Sequence, residues 1–498
     1  MSMFRQAKWD EPIIYELAGQ SDIDMPEENI SEISKYIPSK YIRRRLNLPN
    51  LPKSRVVRHY TRLTQMNYAI DLGLYPLGSC TMKYNPKFSE YIVNTPKIAA
   101  IHTNQPVDTI QGLLSILYEF KNYLCQITGM DAFTLQPAAG AHGEYVGVLI
   151  IKKYHEVNGD RHKDEIIIPD SAHGTNPASA KMGGFKVVEI PSDKNGLVDI
   201  DALKSAAGKY TAGMMLTNPN TLGLFEKNVV EIARIIHEVG GLMYYDGANL
   251  NAIVGWARPG DMGFDIVHVN LHKTFATPHG GGGPGSGPVG VKTFLKEYLP
   301  IPYIDKIDDK HVLREDLKHS IGKVHGYYGN IAVIIRAYLY LISIGGDNLR
   351  KISGRAVVNS NYMMRKMAST RGVELPYNPK TLRMHEFVIS LKKLKEETGV
   401  TARDVAKRLL DHGLHPPTMY FPLIVEEAMM IEPTESASKE EIDEYIDIFR
   451  RIIDEAYRSP DRVKNAPTET SVKRIDEAYG SRPKTMAPTY RWVARQGR

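Results

Sequence analysis

From about residue 113 onward, short apolar runs alternate with stretches of helical periodicity. Asp131–Leu135, Glu165–Pro169, Phe185–Ile190, Thr211–Thr217, Leu242–Tyr245 and Phe264–Leu271 have the length and apolar character of strands. Glu144–Glu156, Asp199–Ala207 and Val229–Val239 lie between them and predict helices. In the last, Ile232, Ile235, Ile236 and Val239 recur at i, i+3, i+4 and i+7. Strands alternating with helices predict an α/β fold, a mostly parallel sheet covered on both faces. Ligands of such sheets bind beyond the carboxyl ends of the strands, so the loops there are where chemistry is expected.

The rhythm changes near residue 346. His385–Leu391 and Ala428–Glu432 predict strands. Thr401–His412 and the stretch from Ser438 to about Tyr457 predict amphipathic helices opened by Thr-x-x-Asp and Ser-x-x-Glu. This is the pattern of a small α+β domain followed by a polar, irregular tail over 460–498. The first 95 residues are rich in charge and proline, with short helical patterns such as Asn29–Tyr36. The expected division is an N-terminal arm with helices (1–95), a large sheet domain (96–345) and a small C-terminal domain (346–498).

Composition narrows the class. Of 498 residues, 42% are hydrophobic and 24% charged, which excludes a disordered, collagen-like or coiled-coil chain. A net charge of +6 over this length argues against a nucleic-acid or anionic-membrane partner. The basic stretch Lys40–Arg62 predicts a solvated or subunit-facing segment. Two cysteines, Cys80 and Cys125, are no disulfide framework and fit a reducing compartment. The N-terminus lacks the apolar core of a secretory signal. The longest apolar run, Ile331–Ile344, is short and interrupted by Arg336. A cytoplasmic enzyme is the expectation.

The loops after the predicted strands carry candidate chemistry. Gln136–Glu144 places Gly140, Ala141 and His142 before a helix, where free N–H groups suit a phosphate; a plain tight turn is the alternative. The next loop holds His173, either a ring-facing or acid–base histidine or a surface one. Asn218, before Pro219, faces the cleft or merely ends the strand. Asp246 closes an apolar strand, where a carboxylate is costly without a cation. Lys273 follows the last apolar run, with Thr274 beside it. A strand-end Asp and a strand-end Lys together suit pyridoxal 5'-phosphate (PLP), the lysine binding the aldehyde and the aspartate the ring nitrogen. Gly285-Ser-Gly-Pro-Val-Gly290 matches a dinucleotide fingerprint by letter, but contains Pro288 and follows no strand. His268 and His272 have metal spacing only on a helix, and there is no H-E-x-x-H, Walker A or C-x-x-C pattern. No metal is expected.

The segments Tyr75–Pro86, Leu135–Tyr145, Pro169–Ala178, Thr217–Glu226, Asp246–Ala252, Asn270–Pro284 and Ile431–Ser436 resemble the P-protein family of the glycine cleavage system, the decarboxylating glycine dehydrogenases. Within it the chain is most similar to subunit 2, the PLP-bearing half of the two-subunit form. The resemblance implies a fold-type-I PLP enzyme of the aspartate-aminotransferase kind. It implies Lys273 as Schiff-base lysine, Asp246 as ring-nitrogen partner and His173 stacked on the ring. Gly140, Ala141 and Thr274 would hold the phosphate, with His142 and Asn218 in the same pocket. The implied reaction decarboxylates glycine, releases CO2 and passes the aminomethyl group to the lipoyl arm of the H-protein. The implied partners are glycine dehydrogenase subunit 1, in a heterotetramer of two subunits each, and the lipoylated H-protein. Another fold-type-I decarboxylase or aminotransferase, or a non-catalytic scaffold subunit, is the alternative.

Overall fold

The computed structural model describes residues 9–17, 35–42 and 48–487. Seven strands form the main sheet: β1 (Ala132–Thr134), β2 (Glu165–Pro169), β3 (Lys186–Ile190), β4 (Thr211–Thr217), β5 (Leu242–Gly247), β6 (Ile266–Val269) and β7 (Val289–Val291). Their spatial order is β1-β7-β6-β5-β4-β2-β3. The run from β3 to β6 is parallel, and β7 is antiparallel to both of its neighbours. β4 and β5 are buried along their whole length, as central strands with two covered faces must be.

The two faces are sorted by the strand period of two. Ile167, Met214, Leu216, Met243, Tyr245, Val267 and Val269 enter one core. There they meet Leu114, Leu117, Phe120 and Leu124 of the helix Gln111–Thr128, and Ile232, Ile235 and Ile236 of the helix Val229–Glu238. Ile166, Ile168, Met215, Tyr244 and Ile266 enter the other, against Val146, Val148, Ile150 and Ile151 of the helix Gly140–Val157. The C-terminal domain is a three-stranded antiparallel sheet with Ala428–Ile431 between Phe387–Ser390 and Thr418–Met419. The helices Leu349–Ala368, Ala402–Asp411 and Lys439–Arg458 pack a second core on it.

Three differences from the sequence expectation have physical causes. The first helix of the sheet region starts at Gly140 rather than Glu144, although it opens with two glycines. The glycines of its first two turns serve close packing. A Cβ at Gly143 would lie 2.6 Å from the Gly287 carbonyl oxygen, and one at Gly147 would lie 2.2 Å from the Tyr244 ring. β6 ends at Val269, and Leu271–Thr274 forms a one-turn helix, so Lys273 sits on a turn rather than on the strand. The tail is partly helical, with Pro460–Lys464 and Glu477–Gly480 folded and Val463 buried. Most of the expected helix Asn29–Tyr36, and Arg43–Arg45 of the basic stretch, lie outside the described residues. The rest of that stretch supplies the helix Lys53–Met66, anchored by buried His59, which bonds Glu11 at 2.9 Å. No single helix among the described residues is long and apolar enough to cross a membrane.

The helix Lys439–Arg458 is closed at its start by a capping box. Ser438 Oγ accepts from the Glu441 amide at 3.2 Å, and Glu441 Oε2 accepts from the Ser438 amide at 2.8 Å. Because this helix carries much of the second core, Ser438→Ala should lower the unfolding free energy by about 1 kcal/mol. Urea unfolding of the two proteins checks this; equal midpoints would show that the cap contributes nothing.

Candidate active site

Four loops at the carboxyl ends of β1, β2, β5 and β6 converge on a cavity of about 500 Å³. The β1 loop brings Ala139, Gly140 and Ala141; the β2 loop His173, Gly174 and Thr175; β5 Asp246 and Ala248; and the β6 turn Asn270, His272 and Lys273. Phe421 of the C-terminal domain closes one side. A larger cavity of about 910 Å³, beside Trp256 and Arg350, contains none of these groups.

Asp246 is the electrostatic centre. It is 1% exposed. Its Oδ2 accepts from Asn176 Nδ2 at 3.0 Å and Thr217 Oγ1 at 3.2 Å, and its Oδ1 from the Ala248 amide at 2.9 Å. His268 Nε2 lies 3.5 Å from Oδ1. Burial alone would raise the carboxyl's pKa. His268, His173, Lys273 and the Ala248 amide together outweigh it and bring the value down to about 2, so Asp246 is an anion at neutral pH.

The histidines around it are neutral. Burial outweighs the pull of Asp246 on His173, with Lys273 and His268 assisting, and lowers its pKa to about 4. Its ring lies parallel to Phe421, centroids 5.7 Å apart with 13° between planes. Ser79 Oγ is 3.2 Å from its Nδ1. Burial, His279 and Lys273 press His272 down to about 2. An amine, a buried anion, a flat neutral ring and the N-terminus of an 18-residue helix thus surround one cavity. That set can bind a ring bearing an aldehyde, a basic nitrogen and an anionic arm.

Of the residues singled out from sequence, Gly140, Ala141, His173, Asp246 and Lys273 line this cavity together. Three do not. Asn218 is buried and spends its side chain on Glu226, accepting from the amide at 2.9 Å and donating to the carbonyl at 3.4 Å. The His142 ring accepts from the Ala138 amide at 3.1 Å and faces His325. Thr274 is buried beside Lys273, and its hydroxyl has no hydrogen-bond partner.

The comparisons with known proteins agree with this geometry. Residues 352–474 match the glycine dehydrogenase C-terminal domain, and residues 148–282 the class-V aminotransferase domain. A probable glycine dehydrogenase (decarboxylating) subunit 2 of Thermococcus gammatolerans is 59% identical over 480 residues, 95% of each chain. One from Thermotoga maritima is 53% identical over 475 residues, covering 95% of this chain and 98% of that one. The chain belongs to the glycine dehydrogenase (decarboxylating) subunit 2 family. A crystal structure of glycine decarboxylase (P-protein) in inhibitor-bound form superposes with a TM-score of 0.70 at 18% identity, over 85% of this chain and 95% of that one. Glutamate decarboxylase of Lactobacillus brevis superposes with 0.64 at 13% identity, over 84% and 96%. These are fold-type-I PLP enzymes, and the chain has their fold.

In and behind the lining of this subunit-2 site stands a network of polar residues whose part in it the sequence did not mark. Glu144 Oε1 accepts from Thr175 Oγ1 at 2.9 Å and its Oε2 from Asn176 Nδ2 at 3.1 Å. Asn176 Nδ2 is thus shared between Glu144 and Asp246. His268 is 2.6 Å from the Tyr244 hydroxyl through Nδ1 and 3.0 Å from Asn270 Oδ1 through Nε2. No spacing rule announces this set, because it is assembled from two helices, β5 and the end of β6. Glu144, Asp246 and His268 bring donor atoms within 4.8 Å of one another, as do His385, Glu386 and Glu432. In the first trio every side chain is already hydrogen-bonded to the partners just named.

Burial first and the charge of Asp246 second raise the Glu144 pKa from 4.5 to about 8. The folded chain therefore keeps a proton on Glu144 that the unfolded chain releases in that interval, and stability falls as pH rises through it. Glu144→Gln retains an acceptor and removes the titration. The stability of this variant relative to the parent should improve steadily from pH 4.5 to about 8. Thermal unfolding across the interval measures this, and a pH-independent gap would contradict it.

Proposed function

We propose that this chain is the PLP-bearing subunit of a glycine decarboxylase in the glycine cleavage system. Its substrate is glycine and its acceptor the lipoyl arm of a carrier protein. The carbon–carboxylate bond of glycine breaks and CO2 leaves. The aminomethyl carbon bonds to one lipoyl sulfur, and the other sulfur is released as a thiol, so the disulfide is the oxidant. The observation that carries this reading is the pairing of Lys273 with an ionised, buried Asp246 across one cavity, in a chain 59% identical to subunit 2 over its length.

The residues present fit PLP. The helix N-terminus at Gly140 and Ala141 offers unpaired amides to a phosphate, and the orphaned Thr274 hydroxyl is a further donor nearby. When bound, PLP supplies an aldehyde that takes up the amine of lysine or substrate and a ring that accepts the electrons of the breaking bond. Lys273 is the amine that anchors it. Asp246, held ionised by Asn176, Thr217 and the Ala248 amide, keeps the proton on the ring nitrogen. His173, neutral and flat, supports the ring face, and Phe421 keeps water from that wall of the cavity.

The assembly follows from the same reading. Subunit 1 completes the pocket in a heterotetramer of two subunits each, and the lipoylated H-protein delivers the disulfide. The enzyme works in the cytoplasm.

Borohydride reduction of the PLP-loaded protein should label the peptide containing Lys273, and Lys273→Ala should lose the label while keeping its fold. A label on a different lysine refutes the anchor assignment. Asp246→Asn should retain some PLP yet lose about 10²–10⁴ in rate. Exchange of labelled CO2 into glycine, measured with subunit 1 and the lipoylated H-protein, is the assay. Near-parental exchange by the Asn variant would remove Asp246 from the ring nitrogen.

A further inference from the structure

The segment Leu74–Asn85 precedes the sheet in sequence but is stitched to the C-terminal domain. Leu77 bridges Ile431, the Gly78 amide donates to the Met430 carbonyl at 3.2 Å, and Thr418 Oγ1 donates to the Gly78 carbonyl at 2.7 Å. Within it Ser79 and Thr81 have φ of 64° and 51°, the left-handed region that disfavours residues with side chains. Something must hold this turn. Two fully buried carboxyls do: Glu386 Oε2 accepts from the Ser79 amide at 2.7 Å, and Glu432 Oε2 from the Thr81 amide at 2.8 Å. Glu386 Oε1 is spent on Asn249 Nδ2 at 3.2 Å.

The turn faces the candidate active site. Ser79 Oγ lies 3.2 Å from His173 Nδ1, and the Cys80 carbonyl is 2.7 Å from His279 Nε2. We infer that Glu386 and Glu432 are positioning residues for His173: by clamping the Ser79–Thr81 turn they keep the Ser79 hydroxyl on the imidazole and so fix the ring that PLP stacks against. The inference rests on the PLP reading above, and it assigns the C-terminal domain a part in shaping the site beyond the Phe421 wall.

The arrangement explains why two carboxyls share an apolar interior. Burial and the charge of Glu432 raise Glu386, and burial raises Glu432, so the pair retains a proton near neutral pH. Burial, with Lys273, Lys83 and His173, leaves the adjacent His385 neutral, its Nε2 3.7 Å from Glu432 Oε1. A site with only a packing role would be served as well by apolar side chains. The hydrogen bonds to a turn that no apolar residue could hold are what those carboxyls add.

The test uses holoenzyme and three variants: Ser79→Ala, Glu386→Leu and their combination. Each is loaded with PLP and followed by visible circular dichroism of the bound cofactor and by its release rate into a PLP-trapping solution. Ser79→Ala should change the visible dichroism and speed release about tenfold, the loss of one hydrogen bond to a positioned ring. Glu386→Leu, which removes the acceptor of the Ser79 amide at similar volume, should give the same altered spectrum, and the double variant should release no faster than the worse single one. A folded Glu386→Leu with parental spectrum and release overturns the inference, as does additivity in the double variant. If Glu386→Leu does not fold, Glu432→Leu, which frees the Thr81 amide, takes its place under the same criteria. Failure of the parent protein to bind PLP would instead sink the functional reading, so the two failures are distinguishable.

Discussion

The structure is organised around one buried negative charge. Moving a carboxylate out of water costs several kcal/mol unless hydrogen bonds and opposite charge replace the lost hydration. Asp246 is compensated from four directions: Asn176 from the helix after β2, Thr217 at the end of β4, the Ala248 amide after β5, and His268 on β6. These elements are consecutive in space, β2-β4-β5-β6, though not in sequence. The parallel arrangement points all four carboxyl ends the same way. Sheet order and site electrostatics are therefore one constraint, and a register shift in any of these strands would strip the charge of a partner.

That constraint propagates outward. Burial, and then the charge of ionised Asp246, drive the neighbouring Glu144 toward its protonated form, and Asn176 Nδ2 binds both. Because burial outweighs the pull of Asp246, with the charge of Lys273 adding to it, the nearby histidines stay neutral, which leaves His173 a flat, uncharged surface rather than a competing cation. The cavity offers a cofactor one anion and one amine, with everything else close to neutral.

The sequence made the framework legible where a local rule carried the information. Central strands appear as continuous apolar runs because both their faces are covered, and the capped helices at Thr401 and Ser438 announced themselves through Ser/Thr-x-x-Asp/Glu spacing. Lys273, Asp246 and His173 were readable because each ends a strand or opens the loop beyond it. Glu144 and His268 were not, since an acid in a helix and a histidine in a strand have many ordinary uses, and only the tertiary fold brings them to Asp246. Asn218 illustrates the converse. Its place after a strand suggested the cleft, yet its two amide atoms close the turn onto Glu226, which competes successfully for a polar side chain at an Asn-Pro step. The hairpin Tyr303–Ile307 with Lys310–Arg314 escaped notice because its short strands interleave charged with apolar residues and lack an apolar run.

The glycine-rich run shows how the same letters acquire their meaning from packing. Gly285, Gly287 and Gly290 satisfy the spacing of a dinucleotide loop, but each faces protein. A Cβ at Gly285 would come within 3.3 Å of the Ala138 carbonyl oxygen, one at Gly287 within 2.1 Å of the Ala139 carbonyl oxygen, and one at Gly290 within 2.3 Å of the Phe133 ring. Gly140 completes the approach: a Cβ there would fall 1.8 Å from Asn270 Nδ2. The missing side chains let the β6–β7 connection lie directly against the loop that opens the helix Gly140–Val157. That contact brings the helix N-terminus and the Lys273 turn to the same cavity and sets their separation. A substitution at Gly287 or Gly140 would widen that separation without touching Lys273 or Asp246. The glycines belong to the site for a geometric reason, whatever nucleotide motif they spell.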